Sequence, residues 1–183
     1  MGIRREPVSD LLASLGASSD HLSKARELAE KSGSSLLEAA SSGGSIKGLT
    51  VAKAVAATLG LDILEEVDVD RIEVELVRPL PLGLSRENGV LPLWKKAGTV
   101  IVGISSPTAL SALDDLRVLY GRPVEPIVLS PALLRDSTNK AYDKASQTAE
   151  AVMEELDEQE GDLTGDLQLG EDLLDDPNQA PII

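Results

Sequence analysis

The chain has 183 residues and a formal net charge of -14, with no cysteine, no phenylalanine, one tryptophan and two tyrosines. The absence of cysteine excludes a disulfide scaffold, a thiol nucleophile and a cysteine-ligated zinc site. Because the charge is negative and no apolar run approaches the roughly 20 residues that span a bilayer, we expect a cytoplasmic protein that binds no nucleic acid and does not insert directly into a membrane.

The negative charge is concentrated near the carboxyl end. Residues 1–146 carry 19 acidic and 17 basic side chains, a net charge of -2, whereas residues 147–183 carry 12 acidic and no basic ones, a net charge of -12. Self-repulsion and low burial predict a disordered acidic tail that acts as a flexible linker, within which Glu150–Glu160 is also compatible with a frayed helix. The carboxylates of this tail have no fixed spacing and therefore predict no metal site.

The first 76 residues show the pattern of a helical subdomain. A short helix is predicted over Ser9–Leu15, with Ser9 as its N-cap, and a second helix opens at Ser18 with leucine and alanine every three to four residues. The order of short helix, glycine turn and longer helix then recurs, which predicts two helical hairpins packed together. The second occurrence consists of Leu36–Ala40, Gly44 and Leu49–Leu59, the last of which is apolar almost all round and is expected to be central.

Residues 77–146 change character and predict a small ββαβα subdomain with a mixed sheet. The β-branched residues of Val90–Lys95 and Thr99–Ile104 predict a hairpin. Pro92 places the first of these strands at an edge or in an irregular pairing, because proline lacks an amide donor. A third strand is predicted over Val124–Leu129, parallel to the second strand because a helix connects the two.

Two serine–proline pairs predict the starts of the helices in this second part. The helix after Ser106–Pro107 carries the apolar stripe Leu110, Leu113, Leu116 and Tyr120, and the helix after Ser130–Pro131 is expected to run to about Lys144. The sequence as a whole therefore predicts an α+β fold: a helical subdomain over residues 1–76, the ββαβα subdomain over 77–146 and the acidic linker over 147–183.

Residue patterns that indicate catalysis or nucleotide hydrolysis are missing from the sequence. His21 is the only histidine and has no cysteine or second histidine with which to form a zinc site. The glycines Gly43 and Gly48 have the spacing of a phosphate-binding loop, but Leu49 stands where that motif requires lysine. We therefore expect no catalytic residue, no metal and no cofactor in this chain.

Five residues are candidates for a partner interface. Trp94, Lys95 and Lys96 place an aromatic ring next to two cations at the end of the predicted hairpin, and tryptophan is enriched at interface hot spots. The alternative is that Trp94 covers the sheet while the lysines remain in water. Lys24 and Arg26 lie off the apolar stripe of the second helix and complete the candidate set.

Five segments carry a resemblance to a known family, four of them in the second part of the chain and one in the tail: Val90–Leu93, Val100–Pro107, Ala112–Arg117, Gly121–Pro126 and Asp172–Ile183. With the first four, residues 77–142 resemble the N-terminal domain of the assembly ATPases of type II secretion and type IV pili, the GspE type and the MshE type among them. The tail segment is similar to the segment before the ATPase core of the secretion members.

The resemblance implies that this chain is the amino-terminal part of a longer protein. ATP and magnesium would then bind only in the downstream domain, and this part would not hydrolyse ATP. The resemblance also implies a partner, the cytoplasmic domain of a GspL-type inner-membrane platform protein, which would hold the ATPase peripherally at the inner membrane.

Some relatives of the MshE type bind cyclic di-GMP through two helical repeats that begin with Arg-Leu-Gly. The corresponding positions here are Pro7 to Ser9 and Ser35 to Leu37, and Thr58 stands where the second repeat ends in glutamine. Arg4 and Arg5 align with the motif only after a shift in register. Since arginine donors are what a doubly anionic ligand requires, the resemblance implies that this chain binds cyclic di-GMP weakly or not at all.

Overall fold

A computed structural model of the chain describes the backbone of residues 7–168 and the side chains of residues 8–149. The chain divides into two compact units, Met1–Ala145 and Ser146–Ile183. Within the described residues, the first unit holds three strands and seven complete α-helices.

The amino-terminal part consists of four helices in the predicted order of short and longer helix. Gly16 and Gly44 follow the two short helices with φ of 94° and 62°, in the left-handed region where glycine has no Cβ penalty. The predicted repeat of two helical hairpins is therefore confirmed. The helices are α1 (Pro7–Ser14), α2 (Ser19–Ser32), α3 (Leu36–Gly43) and α4 (Gly48–Leu59).

The prediction that Ser9 caps the first helix is wrong. Helix α1 begins at Pro7, two residues earlier, where proline at the start costs no hydrogen bond. Ser9 is buried, and its Oγ accepts a hydrogen bond of 2.6 Å from Nη2 of Arg26. The cap predicted at Ser18 is present, since its Oγ accepts from the amide of His21 at 3.3 Å.

Helix α4 is the centre of the helical part, as its continuous apolar surface predicts. Four of its residues are completely shielded from solvent, and a fifth, Ala56, is almost so. A helix that is apolar on every side is stable in water only when other elements surround it. The four are Val51, Ala52, Ala54 and Val55.

The sheet has three strands in the order β1-β2-β3: β1 (Val90–Lys96), β2 (Thr99–Ile104) and β3 (Val124–Val128). The pair β1–β2 is antiparallel and the pair β2–β3 is parallel, both as predicted. β1 lies at an edge, and its register shifts between Pro92 and Trp94. The strand that contains Pro92 is therefore both at an edge of the sheet and irregularly paired, the two alternatives that the proline predicted.

Residues 62–88 cover the two edges of the sheet, and the sequence patterns did not predict their structure. Ile63 forms a parallel bridge with Val128 at the free edge of β3. At the other edge, the amide of Glu73 donates a 2.8 Å hydrogen bond to the carbonyl of Leu93, within the irregular part of β1. A 3-10 turn (Val69–Arg71) and the short helices α5 (Val74–Val77) and α6 (Leu82–Asn88) complete this segment.

Two tyrosines hold the segment between α5 and α6. The hydroxyl of Tyr120 donates to the carbonyl of Leu76 at 2.7 Å, and the hydroxyl of Tyr142 donates to the carbonyl of Leu80 at 2.6 Å. Burial raises the pKa of both phenols above their ordinary value. Each ring therefore contributes both buried apolar surface and a hydrogen bond to a backbone carbonyl.

The helix predicted after Ser106 begins as a 3-10 helix (Pro107–Ser111) and continues as α7 (Ala112–Tyr120). Its stripe is confirmed at Leu113, Leu116 and the half-buried Tyr120, whereas Leu110 is exposed. Leu110 departs from the stripe because a 3-10 helix has three residues per turn instead of 3.6.

The last helix, α8 (Pro131–Gln168), extends beyond its predicted end near Lys144. Alanine, glutamine and glutamate dominate the residues after Lys144, and the next glycine is Gly161, so helix propensity is high there. Glu150–Glu160, the segment compatible with a helix, lies within α8. The tail residues from 169 onward, with the family-like segment at the end of the chain, lie outside the described residues.

The helical part and the sheet share a hydrophobic cluster. Leu37 and Val55 from the helices belong to the same cluster as Val102 and Val128 from the strands. The predicted boundary between residues 76 and 77 falls inside α5. A second cluster lies beneath β1 and α8 and includes Leu91, Leu93, Leu129 and Leu134.

Substitution of Gly103 tests the packing at the centre of the sheet. A Cβ at Gly103 would lie 2.5 Å from Cδ1 of the buried Leu129, so Gly103→Ala is expected to lower the free energy of unfolding by about 1–3 kcal/mol. Gly83→Ala in α6 is the matched control, because a Cβ there meets no atom within 4 Å. Urea unfolding of both variants measures the difference, and equal stability of Gly103→Ala and the unsubstituted chain would contradict this packing.

The buried tyrosines predict a loss of stability at alkaline pH. Both native pKa values lie above the ordinary value near 10, so ionisation favours the unfolded chain once the pH exceeds about 10. Below that pH both states keep the phenol protonated and this contribution is constant. Urea unfolding between about pH 8 and pH 11 should show a steeper decline for the unsubstituted chain than for the Tyr120→Phe, Tyr142→Phe double variant. Parallel curves would refute the assignment.

Candidate interaction surface

Trp94 lies on the outside of β1 and is half-buried. Its ring packs against the second hydrophobic cluster, and the guanidinium of Arg71 lies 5.8 Å from the ring centroid. This distance allows a cation–π interaction. The ring therefore covers part of the core, and a contact of Trp94 with a partner stays a prediction.

Lys95 is engaged within the chain. Its amide donates to Oε1 of Glu73 at 2.8 Å, and its Nζ lies 3.2 Å from Oε2 of Glu73 and 3.6 Å from Oε2 of Glu75. The hydrogen bond from the Lys95 amide is the main reason that the pKa of Glu73 is lowered. Lys96, the last residue of β1, is exposed next to the turn at Ala97 and Gly98.

The other two candidate residues belong to a different element. Lys24 and Arg26 are exposed on α2, and the guanidinium of Arg26 is bonded to Ser9 of α1. Among the described residues, no hydrogen bond or ion pair joins α2 to Trp94, Lys95 or Lys96. The structure does not connect the two groups directly, and their role in binding a partner stays a prediction.

An apolar groove between α6 and α7 is a surface that the sequence patterns missed. Its volume is about 240 Å³, and two of its leucines are unusually exposed: Leu84 on α6 at 47% and Leu119 on α7 at 44%. Monomeric proteins seldom leave adjacent large apolar side chains in water without a function for them. We call this surface the α6–α7 groove; its lining includes Leu80, Leu84, Asn88, Asp115, Leu116 and Leu119.

The spacing of residues along α7 explains why this helix serves both the core and the groove. Ala112, Asp115, Leu116 and Leu119 follow the i, i+3, i+4, i+7 pattern of a single helix face, and all four line the groove. Ala112 and Leu116 also belong to the first hydrophobic cluster, together with Leu113 and Tyr120 on the adjacent face. The apolar part of α7 is therefore wider than the core requires.

The polar groups of the groove are few. Asp115 is exposed and has no ion-pair partner among the described residues, whereas the neighbouring Asp114 is paired with Arg117. The side-chain amide of Asn88 donates to the carbonyl of Leu84 at 3.0 Å, within α6. A partner that fills this groove therefore meets leucine surface and one carboxylate.

In the alignment of the two repeats given above, the second arginine position is Ser35, the exposed N-cap of α3, whose Oγ accepts from the amide of Glu38 at 3.3 Å.

The other aligned side chains have these surroundings. Leu36 and Leu37 are buried in the first hydrophobic cluster, and Ser9 is buried beneath Arg26. Thr58 donates its hydroxyl to the carbonyl of Ala54 at 2.7 Å. None of these four side chains presents a cation to solvent.

Two further searches were confined to the described residues. No group of three or more histidine, aspartate or glutamate side chains is arranged to hold a metal ion. No helix in this part of the chain combines the length and the apolar character needed to cross a membrane. His21 is exposed on α2.

Comparison with known proteins gives a consistent assignment. Residues 59–148 match the MshEN domain. The type IV pilus assembly ATPase PilB of Myxococcus xanthus is 23% identical over 148 residues, which are 81% of this chain and 25% of that protein. PilB of Pseudomonas aeruginosa is 27% identical over 101 residues, or 55% of this chain and 18% of that protein. The chain thus spans at most a quarter of the length of these relatives.

A solved structure has the same fold. The structure of MshE with cdg (cyclic di-GMP) matches 75% of this chain and all of that chain, with a TM-score of 0.54 and 22% identity. The N-terminal domain of XpsE matches 76% of this chain with a TM-score of 0.48 and 22% identity. Residues 59–148 match the MshEN domain, and the chain is similar to the N-terminal part of pilus assembly ATPases, as the resemblance predicted.

Proposed function

We propose that this chain is the docking module of a secretion or pilus ATPase and binds the cytoplasmic domain of a GspL-type inner-membrane platform protein. The observation that carries the proposal is the α6–α7 groove, which is lined by exposed leucines from both helices, Leu84 from α6 and Leu119 from α7. A docking surface requires apolar side chains that become buried on binding, and these two leucines meet that requirement.

The chemistry of the groove defines the complementary surface. Burial of exposed leucine side chains is favourable by roughly 25 cal/mol per Å² of apolar surface removed from water. The partner supplies apolar side chains opposite Leu84 and Leu119 and a basic group opposite Asp115. Electrostatic complementarity at Asp115 would fix the orientation of the partner more than its affinity.

The proposal also states where the protein is located and which part of it binds ATP. The chain belongs to a cytoplasmic protein that its platform partner holds at the inner membrane. ATP and magnesium bind in the downstream part of that protein, and this chain alone does not hydrolyse ATP. We further propose that this ATPase belongs to a type II secretion system. The relatives named PilB are ATPases of type IV pilus assembly, so this step goes beyond them.

Leucine substitutions test the groove directly. Leu84→Ser and Leu119→Ser remove apolar surface that is already in water, so each is expected to leave the fold intact and to weaken binding on the order of tenfold. The measurement is calorimetry of the full chain with the cytoplasmic domain of a GspL-type platform protein. Leu49→Ser is the matched control, because Leu49 is 40% exposed on α4 and does not line the groove.

The outcomes separate the groove from the docking function. If the unsubstituted chain binds and Leu84→Ser and Leu119→Ser bind equally well, the groove is not the docking surface, although the docking function is retained. No binding by the unsubstituted chain at micromolar concentrations would refute the docking function. Loss in Leu49→Ser equal to that in the groove variants would indicate general destabilisation instead of a local interface.

Sensing of cyclic di-GMP is the second candidate function. Likeness to the fold of MshE, whose solved structure contains that nucleotide, favours it. The residues at the two arginine positions of the motif, Pro7 and Ser35, speak against it, because neither carries a positive charge. We therefore rank it below docking.

Calorimetric titration of the full chain with cyclic di-GMP separates these two functions. We expect no heat of binding at micromolar nucleotide, because a doubly anionic ligand requires arginine donors that the motif positions lack. A saturable heat that disappears when Arg4 and Arg5 are both changed to glutamine would overturn this ranking and show that a shifted register is used.

A further inference from the structure

A second pocket lies on the other side of α6 from the α6–α7 groove. Its volume is about 310 Å³, and it is lined by the end of α6, by Ser105 after β2 and by the first turns of α8. Arg86 of α6 and Arg135 of α8 both line it. We call it the arginine pocket.

The two arginines are positioned by different neighbours. Nη2 of Arg86 donates to Oδ1 of Asn139 at 2.8 Å, which joins α6 to α8. Arg135 has its Nε 3.8 Å from a carboxylate oxygen of Asp136, a long and solvent-exposed contact that contributes little. Because a guanidinium carries five N–H donors in a planar fork, both arginines retain donors for a ligand.

The wall of the pocket is mostly apolar. Pro131 and the buried Leu134 form part of it, and the buried hydroxyls of Ser85 and Thr138 donate to backbone carbonyls at 2.6 and 2.7 Å. Because both hydroxyls already donate within the chain, they are available to a ligand only as hydrogen-bond acceptors. Donors for an anion therefore come from the arginines at the rim, and apolar contact comes from the wall.

The charge of the lining is unusual for this chain. Residues 1–146 carry 19 acidic and 17 basic side chains, yet the pocket within them is lined by two arginines and by no aspartate or glutamate. A concave surface lined by one sign of charge concentrates ions of the opposite sign. The arginine pocket therefore favours an anion.

We propose that the arginine pocket binds a small phosphate monoester with an apolar body. Two guanidinium groups from separate helices can each engage a different oxygen of one phosphate, which a compact ammonium does less well. The volume lies at the lower end of the range for small-molecule sites, so the ligand is small. This inference is independent of the docking function.

Three probe molecules test the two halves of the proposal on the full chain. Phenyl phosphate carries both an anion and a ring, inorganic phosphate only the anion, and benzyl alcohol only the ring. Amide NMR shifts of Gly89, Ser105 and Asn139 report the pocket. We expect saturable shifts with phenyl phosphate at submillimolar to millimolar concentrations, and dissociation constants on the order of tenfold higher for each of the other two probes.

Arginine variants locate the binding. Arg86→Gln and Arg135→Gln are each expected to weaken phenyl phosphate binding on the order of tenfold, because each removes a charged donor. Arg122→Gln is the control, since Arg122 is exposed in the turn between α7 and β3 and does not line the pocket. Retained dispersion of the amide spectrum shows that each variant is folded.

Three results would overturn the proposal. One is the absence of a saturable shift with phenyl phosphate. Another is equal affinity for phenyl phosphate and either of the simpler probes. The third is unchanged affinity when Arg86 and Arg135 are both replaced.

Discussion

The position of α6 depends on two tyrosine hydroxyls. Tyr120 from α7 and Tyr142 from α8 bind the carbonyls of Leu76 and Leu80, at the start of the segment that leads into α6. This segment contains two prolines, which have no amide to donate, so the two tyrosine hydrogen bonds add to the few backbone hydrogen bonds that it makes. Because the two tyrosines come from the helices on either side, α6 lies between α7 and α8. The apolar groove and the arginine pocket are the two clefts that result.

This arrangement gives a seven-residue helix two chemically different sides. Leu84 lines the groove toward α7, whereas Ser85 and Arg86 line the pocket toward α8. An isolated helix of this length is not stable in water, so α6 exists because its neighbours hold it. One contact that holds it is the hydrogen bond from Arg86 to Asn139 of α8.

Sequence patterns predicted the regular elements and missed the connecting segment. Apolar periodicity, serine caps and glycine turns located the longer helices and all three strands, because these signals are local. The short helices between residues 69 and 88 depend on contacts with distant residues such as Leu93 and Tyr142, and no local pattern encodes them. For the same reason Leu84 and Leu119 were not recognised as neighbours. Lys95 was a candidate for contact with a partner because of its charge, but its ammonium group forms an ion pair with Glu73 of the same chain.

The central claim is that α6 and α7 form the docking face. Hydrogen exchange of the full chain, measured with and without the cytoplasmic domain of the platform protein, tests it most directly. The account predicts slower exchange in Leu82–Asn88 and Ala112–Tyr120 in the complex. Protection confined to α2 and to the end of β1 around Trp94, with no change in α6 and α7, would contradict it.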